Sequence, residues 1–304
     1  MSNTSNVTKA QNPAVAPLYF TDNNSGDSSP FSQMLPAELV RHCLTTYADW
    51  GDLAKLSSLK KEWKNVMYDA AAHGGHGATW ELTQALLEGT NGLERNPTQA
   101  MNLLKQLAGV EMTEDGKATI EADIEPFAPA MKCIADCYLT GNGVETSNTA
   151  AGIQWLSAAY EVANDVEAAH KLALLHEYGE HDIEIDVVAA ADWFLNAAKG
   201  GHVEAMAEYA MCCELGCGTE QSDEEALDWY RKAAEEGHTT AKFSVGEFHE
   251  EGRGVPQSDQ EACLWYYRSA VEGDEDSKKA LRRLEDIARI VLVTLPGAMG
   301  ILNA

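Results

Sequence analysis

Small and apolar residues recur along the chain at the three- to four-residue spacing of an amphipathic helix. Ala205, Tyr209 and Cys213 share one predicted helix face, and Gly216 and Gly218 then predict a turn. A second apolar stripe follows the turn and predicts an antiparallel helix, with Ala226, Trp229, Tyr230, Ala233 and Ala234 on its buried side. Each unit is therefore predicted to be a helix pair, with the tryptophan filling the gap between neighbouring units.

The helix-turn-helix pattern is repeated in register. Trp193, Trp229 and Trp265 follow one another at intervals of 36 residues, and Trp155 precedes Trp193 by 38. Two first-helix positions align through five units: Ala78, Ala130, Ala168, Ala205 and Ala241, then Leu82, Ile134, Leu172, Tyr209 and Val245. Such units stack because one unit alone cannot bury its apolar face. We expect an all-α fold, a right-handed α-α superhelical solenoid of about five helix-turn-helix repeats over residues 73–274, with a small N-terminal helical module.

These residues resemble the Sel-1-like repeat, a relative of the tetratricopeptide repeat. The pattern A-x-A-x-Y-x-L-G, then G-x-G-V, then A-x-x-W-Y-x-K-A-A-x-x-G-H is best matched between Ala205 and Asp274. The sequence departs from it at Gly152, where alanine is expected, and at Gly179, where Gly-x-Gly is expected. The resemblance implies a family of interaction scaffolds without chemistry of their own.

Residues 1–32 are polar and predict a disordered leader, whereas residues 33–72 carry three short apolar helical patterns. The second segment resembles an F-box, whose pattern is L-P-x-E-L, then D-L, then a tryptophan. The matching residues are Leu35, Pro36, Leu39, Leu53 and Trp63. The resemblance implies that they face the small linker protein of a cullin-type (SCF) ubiquitin ligase, while the repeats bind the client. The alternative is a plain helical cap on the solenoid.

Two further segments interrupt or end the repeats. Residues 110–127 are acidic and lengthen the step from the first to the second repeat, so they are predicted to loop out, either at a binding face or as an inert surface loop. Residues 275–304 predict a capping helix and an apolar tail. Arg282 stands there at the small-residue position of the first helix, which is how a solenoid cap behaves. The tail is too short to span a bilayer and is expected to fold back.

The charge balance indicates which partners the chain can take. Lys and Arg total 22 against 48 Asp and Glu, a formal charge of −26. Such a surface repels nucleic acid and anionic membranes and favours basic proteins. The first-helix glutamates Glu204, Glu208, Glu247 and Glu250 are therefore predicted to line an acidic client groove. The alternative is that the acidity only keeps the chain soluble.

No catalytic or cofactor-binding pattern is found, so the sequence predicts a non-enzyme without cofactor or metal. The seven cysteines are an odd number and indicate reduced thiols in a cytoplasmic or nuclear protein. Cys133 and Cys137 share a helix face and could ligate a metal, although core packing is favoured. His76, His202 and His238 recur at one turn position and are interpreted as helix caps. The predicted function is then either a ligase adaptor or, alternatively, a general repeat scaffold or regulator with no ubiquitin-ligase link.

Overall fold

The computed structural model describes residue 68 and residues 76–90, 93–113, 116–120 and 125–292. These residues are mainly helical and divide into two compact units, with the division between residues 107 and 108. Helix-turn-helix repeats follow one another in a solenoid-like arrangement, which confirms the predicted fold class. The F-box-like positions, the leader and residues 293–304 of the tail lie outside the described residues.

The first repeat is formed by α1 (His76–Glu88) and α2 (Pro97–Ala108). Leu82, Leu86 and Leu93 form its buried core, and Leu103 packs against them at the position where later repeats carry tryptophan. The side chain of Asn96 accepts a hydrogen bond from the backbone N–H of Gln99 at 3.1 Å, which caps the start of α2. This repeat is therefore a complete helix pair despite its missing tryptophan.

The second unit contains four further helix pairs, whose members we call the first and second helix of a repeat. They are α3 (Ala128–Thr140) and α4 (Thr149–Ala163), α5 (Val166–Tyr178) and α6 (Val187–Lys199), α7 (Val203–Leu215) and α8 (Asp223–Glu235), and α9 (Thr239–Glu251) and α10 (Asp259–Val271). Two shorter helices, α11 (Glu275–Arg283) and α12 (Glu285–Leu292), follow. Their buried Ala280, Leu281 and Ala288 share an apolar cluster with α10.

The acidic insertion forms a small hairpin, which the all-α prediction did not include. Strands β1 (Val110–Met112) and β2 (Ala118–Ile120) pair antiparallel, with Val110 opposite Ile120. Gly116 in the connection approaches Gln154 of α4 so closely that an added Cβ would lie 2.3 Å from its side-chain nitrogen. The described part of the insertion therefore lies against the second repeat.

Columns of small buried residues hold the repeats together. The aligned first-helix alanines Ala168, Ala205 and Ala241 are at most 1% exposed, and the second-helix alanines Ala226 and Ala262 are fully buried. Side chains of this size let helix backbones approach one another at the density of a protein interior. The close helix packing thus follows directly from the aligned alanine positions in the sequence.

The aromatic pairs of the second helices pack differently from the prediction. Tyr230 and Tyr266 are buried, whereas Trp229 and Trp265 are only partly buried. The ring of Trp229 meets Tyr209 edge-on, with centroids 5.7 Å apart and planes at 89°. The tyrosine of each Trp-Tyr pair therefore fills the junction between helices, and the tryptophan covers it from the surface side.

Serine and histidine side chains cap the starts of four helices, in agreement with the sequence interpretation. Ser222 and Ser258 accept backbone hydrogen bonds from Glu225 and Glu261 at 3.2 and 3.3 Å, which starts α8 and α10. His202 and His238 use Nδ1 as the acceptor, from the N–H groups of Ala205 and Ala241 at 3.2 and 3.1 Å.

The glycine turns bring neighbouring repeats into direct backbone contact. Gly218 has a φ of +75°, and a Cβ at this position would lie 1.9 Å from the carbonyl oxygen of Val187. Only glycine satisfies both the left-handed backbone and this close approach. In the preceding repeat the turn instead runs through Gly179, His181 and Asp182, all with positive φ. The departure noted at Gly179 is therefore a different turn geometry.

Gly246 in α9 provides a test of this packing. A Cβ at this position would lie 2.5 Å from the ring of Tyr266. We expect Gly246→Ala to lower the free energy of unfolding by about 1–3 kcal/mol through overpacking. The matched control is Gly77→Ala in α1, where an added Cβ meets nothing within 4 Å. Thermal and urea unfolding of both variants should show a loss for the first and no loss for the control; equal effects would contradict the packing.

Candidate partner-binding face

The first helices of three successive repeats present one continuous set of solvent-accessible positions, at spacings of four, three and four residues. We call this set the first-helix face. It comprises Glu167, Lys171, Leu174 and Tyr178 of α5, Glu204, Glu208, Met211 and Leu215 of α7, and Thr240, Ser244, Glu247 and Glu251 of α9, none of which is buried. The eight positions on α7 and α9 include four glutamates and no lysine or arginine. The face is therefore negatively charged over the last two of these helices.

Polar side-chain contacts link neighbouring first helices. His170 Nε2 of α5 lies 2.8 Å from a carboxylate oxygen of Glu208 on α7. The Lys171 ammonium on α5 contacts Asp136 on α3 in the same way. The imidazole ring of His170 also stacks on that of His202, with centroids 4.1 Å apart. Adjacent first helices are thus linked side by side, so charges on one lie near charges on the next.

Two glutamates beside the face each bind a tyrosine of their own repeat and an arginine that lies farther along the chain. Glu214 accepts hydrogen bonds from the Tyr230 hydroxyl at 2.9 Å and from Arg253 at 2.7 Å. Glu250, at the equivalent position one repeat later, accepts from Tyr266 at 2.7 Å and from Arg283 at 2.8 Å. These charge-assisted bonds are of the stronger kind. Both carboxylates therefore have structural partners.

The same position in the preceding repeat has a different environment. Glu177 aligns with Glu214, but Phe194 stands where the later repeat has Tyr230, and a phenyl ring has no hydroxyl to donate. Burial raises the pKa of the Glu177 carboxyl, and the nearby carboxylate of Glu208 raises it further. The Glu177 carboxyl therefore lacks the tyrosine hydroxyl that donates to Glu214 one repeat later.

Glu247 is the most perturbed carboxyl of the face. Its burial, followed by repulsion from Glu251, Glu214 and Glu250, raises its pKa to about 7, and Arg253 only partly offsets this. Burial alone would disfavour the charged form, and the three neighbouring carboxylates add a locally negative potential to that cost.

The four glutamates predicted to line a client groove do not form one set. Glu204 is exposed and Glu208 is half-buried on the α7 part of the face, with Glu247 on the α9 part. Glu250 points instead to Tyr266 and Arg283, with a side chain only 17% exposed. The groove hypothesis itself stays a prediction, and the geometry favours the first three residues for it.

Sequence reasoning missed several exposed apolar side chains close to these carboxylates. Tyr178 and Leu215 are each 62% exposed, and Met211 is 42% exposed. Tyr178 and Leu215 occupy equivalent last positions of α5 and α7, immediately before a glycine cap. Their alignment in the sequence could have identified them, because the same position on α9 holds the polar Glu251.

Three cysteines of the described repeats, Cys137, Cys213 and Cys263, are buried packing residues, whereas Cys217 is exposed. Burial raises the pKa of the Cys212 thiol to about 12 and that of Cys263 to about 11. Hydrogen bonding to Cys133 raises the pKa of Cys137. Such thiols stay protonated near neutral pH and are poor nucleophiles and metal ligands.

The stacked helix pairs define the class of this protein as an α-solenoid repeat protein. A family model for the Sel1 repeat matches residues 77–108, 129–163, 166–202, 203–238 and 239–274. Because these matches cover more than half of the sequence, the chain belongs to the Sel1-repeat family, which confirms that part of the sequence interpretation. Proteins of this family are generally non-enzymatic scaffolds for protein partners. The match begins at residue 77 and does not include the F-box-like segment.

Two solved structures share the fold. One is a protective antigen of uropathogenic Escherichia coli strains, which displays an SLR fold. It is 20% identical in sequence to this chain, with a TM-score of 0.58, and the match covers 89% of this chain and 55% of the antigen. A Sel1 repeat protein from Oxalobacter formigenes is 21% identical with a TM-score of 0.53 over 88% of this chain and 97% of its own. The chain thus spans about half the length of the Escherichia coli antigen. At these identities the likeness establishes the fold alone.

No curated protein is significantly similar to the chain in sequence. Within the described ranges, no helix is long and apolar enough to cross a membrane.

The raised pKa of Glu247 predicts a pH-dependent stability. In the unfolded chain this carboxyl has its ordinary pKa of 4.5, whereas the folded state holds the proton up to a pH of about 7. Stability is therefore lost as the pH rises through that interval. We expect Glu247→Gln to remove this loss. Because solvent screens a half-buried group, the gain at pH 8 should be about 1 kcal/mol, and it should be absent near pH 4.

Urea unfolding of wild type and variant at both pH values measures the gain. Glu224→Gln removes the same charge from an exposed position on α8 and serves as the control for net charge. If Glu247→Gln raised the free energy of unfolding equally at both pH values, the raised pKa assigned to Glu247 would be wrong.

Proposed function

We propose that this chain is a non-enzymatic scaffold that binds a basic protein partner through the first-helix face. The main support for this proposal is that the α7 and α9 positions of the face hold four glutamates and no lysine or arginine. Repulsion from Glu251, Glu214 and Glu250, which adds to the effect of burial in raising the pKa of Glu247, supports the same conclusion. A formal charge of −26 extends the negative potential beyond the face and would speed encounter with a cationic partner.

Structural roles limit which carboxylates can serve a partner. Glu250 is held by Tyr266 and Arg283, so changing it would disturb the joint between repeats. Glu208 is 30% exposed and lies 2.8 Å from His170 Nε2, a contact that links α7 to α5. Glu204 and Glu251 have side chains that are 65% and 60% exposed. These two carboxylates can contact a partner without disturbing the contacts between repeats.

Charge reversal tests the electrostatic part of the proposal. Glu204→Lys and Glu251→Lys combined should slow association with a basic partner about tenfold, with the largest effect at low salt. The matched control reverses Glu224 and Glu235, which are exposed on the second helix α8. Stopped-flow association at 20–300 mM salt, on variants with unchanged melting curves, measures the difference; these conditions span Debye lengths above and below about 10 Å.

Equal slowing by both sets of reversals would assign the acidity to solubility alone. Association rates that do not change with salt would have the same meaning.

The narrower hypothesis of a ligase adaptor depends on the sequence pattern of residues 33–72. If these residues form an F-box, the full chain should co-purify with the ligase linker protein at micromolar concentration. Leu35→Ala with Pro36→Ala should abolish this binding, whereas Pro17→Ala with Leu18→Ala in the leader changes the same residue types as a control. Failure of the wild-type chain to bind would leave the general scaffold as the function.

A further inference from the structure

Exposed apolar side chains are concentrated at one edge of the third and fourth repeats. Of the nine exposed large hydrophobic residues among those described, five belong to this edge. They are Tyr178, Ile185, Val187, Val188 and Leu215, with exposed fractions between 46% and 65%. We call this set the turn-edge patch. Clustering of this kind distinguishes a binding surface from apolar residues scattered singly.

The patch has a fixed geometry, because its connecting segment is held at several points. Ile185 packs against Gly179, where an added Cβ would lie 2.8 Å from the isoleucine side chain. The backbone N–H of Asp186 donates to the carbonyl of His176 at 2.9 Å. The Thr149 hydroxyl of the preceding repeat donates to the carbonyl of His181 at 2.8 Å. The patch is thus part of the stacked structure.

The turn of the fourth repeat extends the patch across the repeat boundary. Gly218 lies directly on the carbonyl of Val187, and Leu215 ends the helix that leads into the same turn. Tyr178 similarly ends the helix that leads into the turn of the third repeat. Side chains from two repeats therefore contribute to one apolar edge.

The charges around the patch decide what can cover it. Glu180, Asp182 and Glu184 are exposed and alternate with the apolar residues of the connecting segment. Between residues 172 and 222 the chain has ten acidic residues and a single Lys or Arg, Lys199, at the far end of α6. A second copy of the chain would bring the same carboxylates together, since a twofold interface pairs a surface with itself. Like charges juxtaposed in this way oppose association.

We propose that the turn-edge patch binds the apolar face of a basic amphipathic helix from a partner protein, while the carboxylates of residues 180–184 contact its lysine or arginine side chains. An amphipathic helix presents apolar anchors on one side and cations beside them, which matches the order of groups along this edge. This inference rests on the proposed scaffold function and adds an apolar anchoring site to the electrostatic face.

Designed peptides can test the inference on the full chain. The probe is an 18-residue amphipathic helix of lysine and leucine, compared with a lysine-serine peptide of equal charge and a glutamate-leucine peptide. We expect the lysine-leucine peptide to bind at least tenfold more tightly than either comparison peptide, measured by fluorescence anisotropy. In the triple variant Ile185→Ser, Val188→Ser, Leu215→Ser, the affinity for the lysine-leucine peptide should fall to that for the lysine-serine peptide. The affinity for the lysine-serine peptide should not change.

The matched control is Ile120→Ser, Val271→Ser, Ile290→Ser, which removes three other exposed apolar side chains. Melting curves and circular dichroism establish that both variants are folded. Equal binding of the lysine-leucine and lysine-serine peptides to wild type would overturn the inference, and so would equal losses in the patch and control variants. A patch variant that changed the oligomeric state in sedimentation would reassign the patch to self-association and also overturn it.

The two proposals can fail separately. If charge reversal on the first-helix face weakens peptide binding but the patch variant does not, the scaffold function stands and the apolar anchor is wrong. If neither change affects binding, both are wrong.

Discussion

Close approach between helices, made possible by small buried residues, is the constraint on which this structure depends. The alanine columns and Gly246 remove side-chain volume at the helix crossings, and Tyr230 and Tyr266 then occupy the remaining space. The buried tyrosine hydroxyls need partners, which Glu214 and Glu250 provide. These glutamates in turn hold Arg253 and Arg283 from farther along the chain. Each contact between repeats thus contains both a close apolar packing and, next to it, a charged hydrogen-bonded group.

Much of the fold could be predicted because the repeat presents the same local rules several times. A single alanine at helical spacing says little, but five in register identify a stacking face, and the Ser222 and Ser258 caps follow from short-range geometry. The burial of Tyr230 in preference to Trp229 could not be read from spacing, because both residues point toward the same neighbouring helix. The larger indole is less easily enclosed. The hairpin at 110–120 was missed because three-residue strands carry too few residues for a period to show.

The candidate site was less accessible to sequence reasoning for a related reason. Glu247 and Glu250 are three residues apart on one helix, yet Glu247 is half-buried near other carboxylates while Glu250 is bound to Tyr266 and Arg283. The role of Glu250 depends on groups 16 and 33 residues farther along the chain, which local patterns do not specify. The exposed apolar edge was likewise hidden, because Ile185 and Val188 resemble core residues until the turn geometry places them outside.

The histidine caps give the repeats an unequal response to acid. Serine and aspartate can accept the capping hydrogen bond over a wide pH range, but Nδ1 of an imidazole accepts it only while that nitrogen is unprotonated. Burial and the adjacent His170 lower the pKa of His202, so the folded state resists the proton and loses stability as the pH falls below about 6.5. Asp165 and Asp274 cap the starts of α5 and α11, so the cap at His202 lies between caps that accept their hydrogen bond over a wider pH range. Acid is therefore expected to weaken the start of α7 before it weakens the starts of α5 and α11.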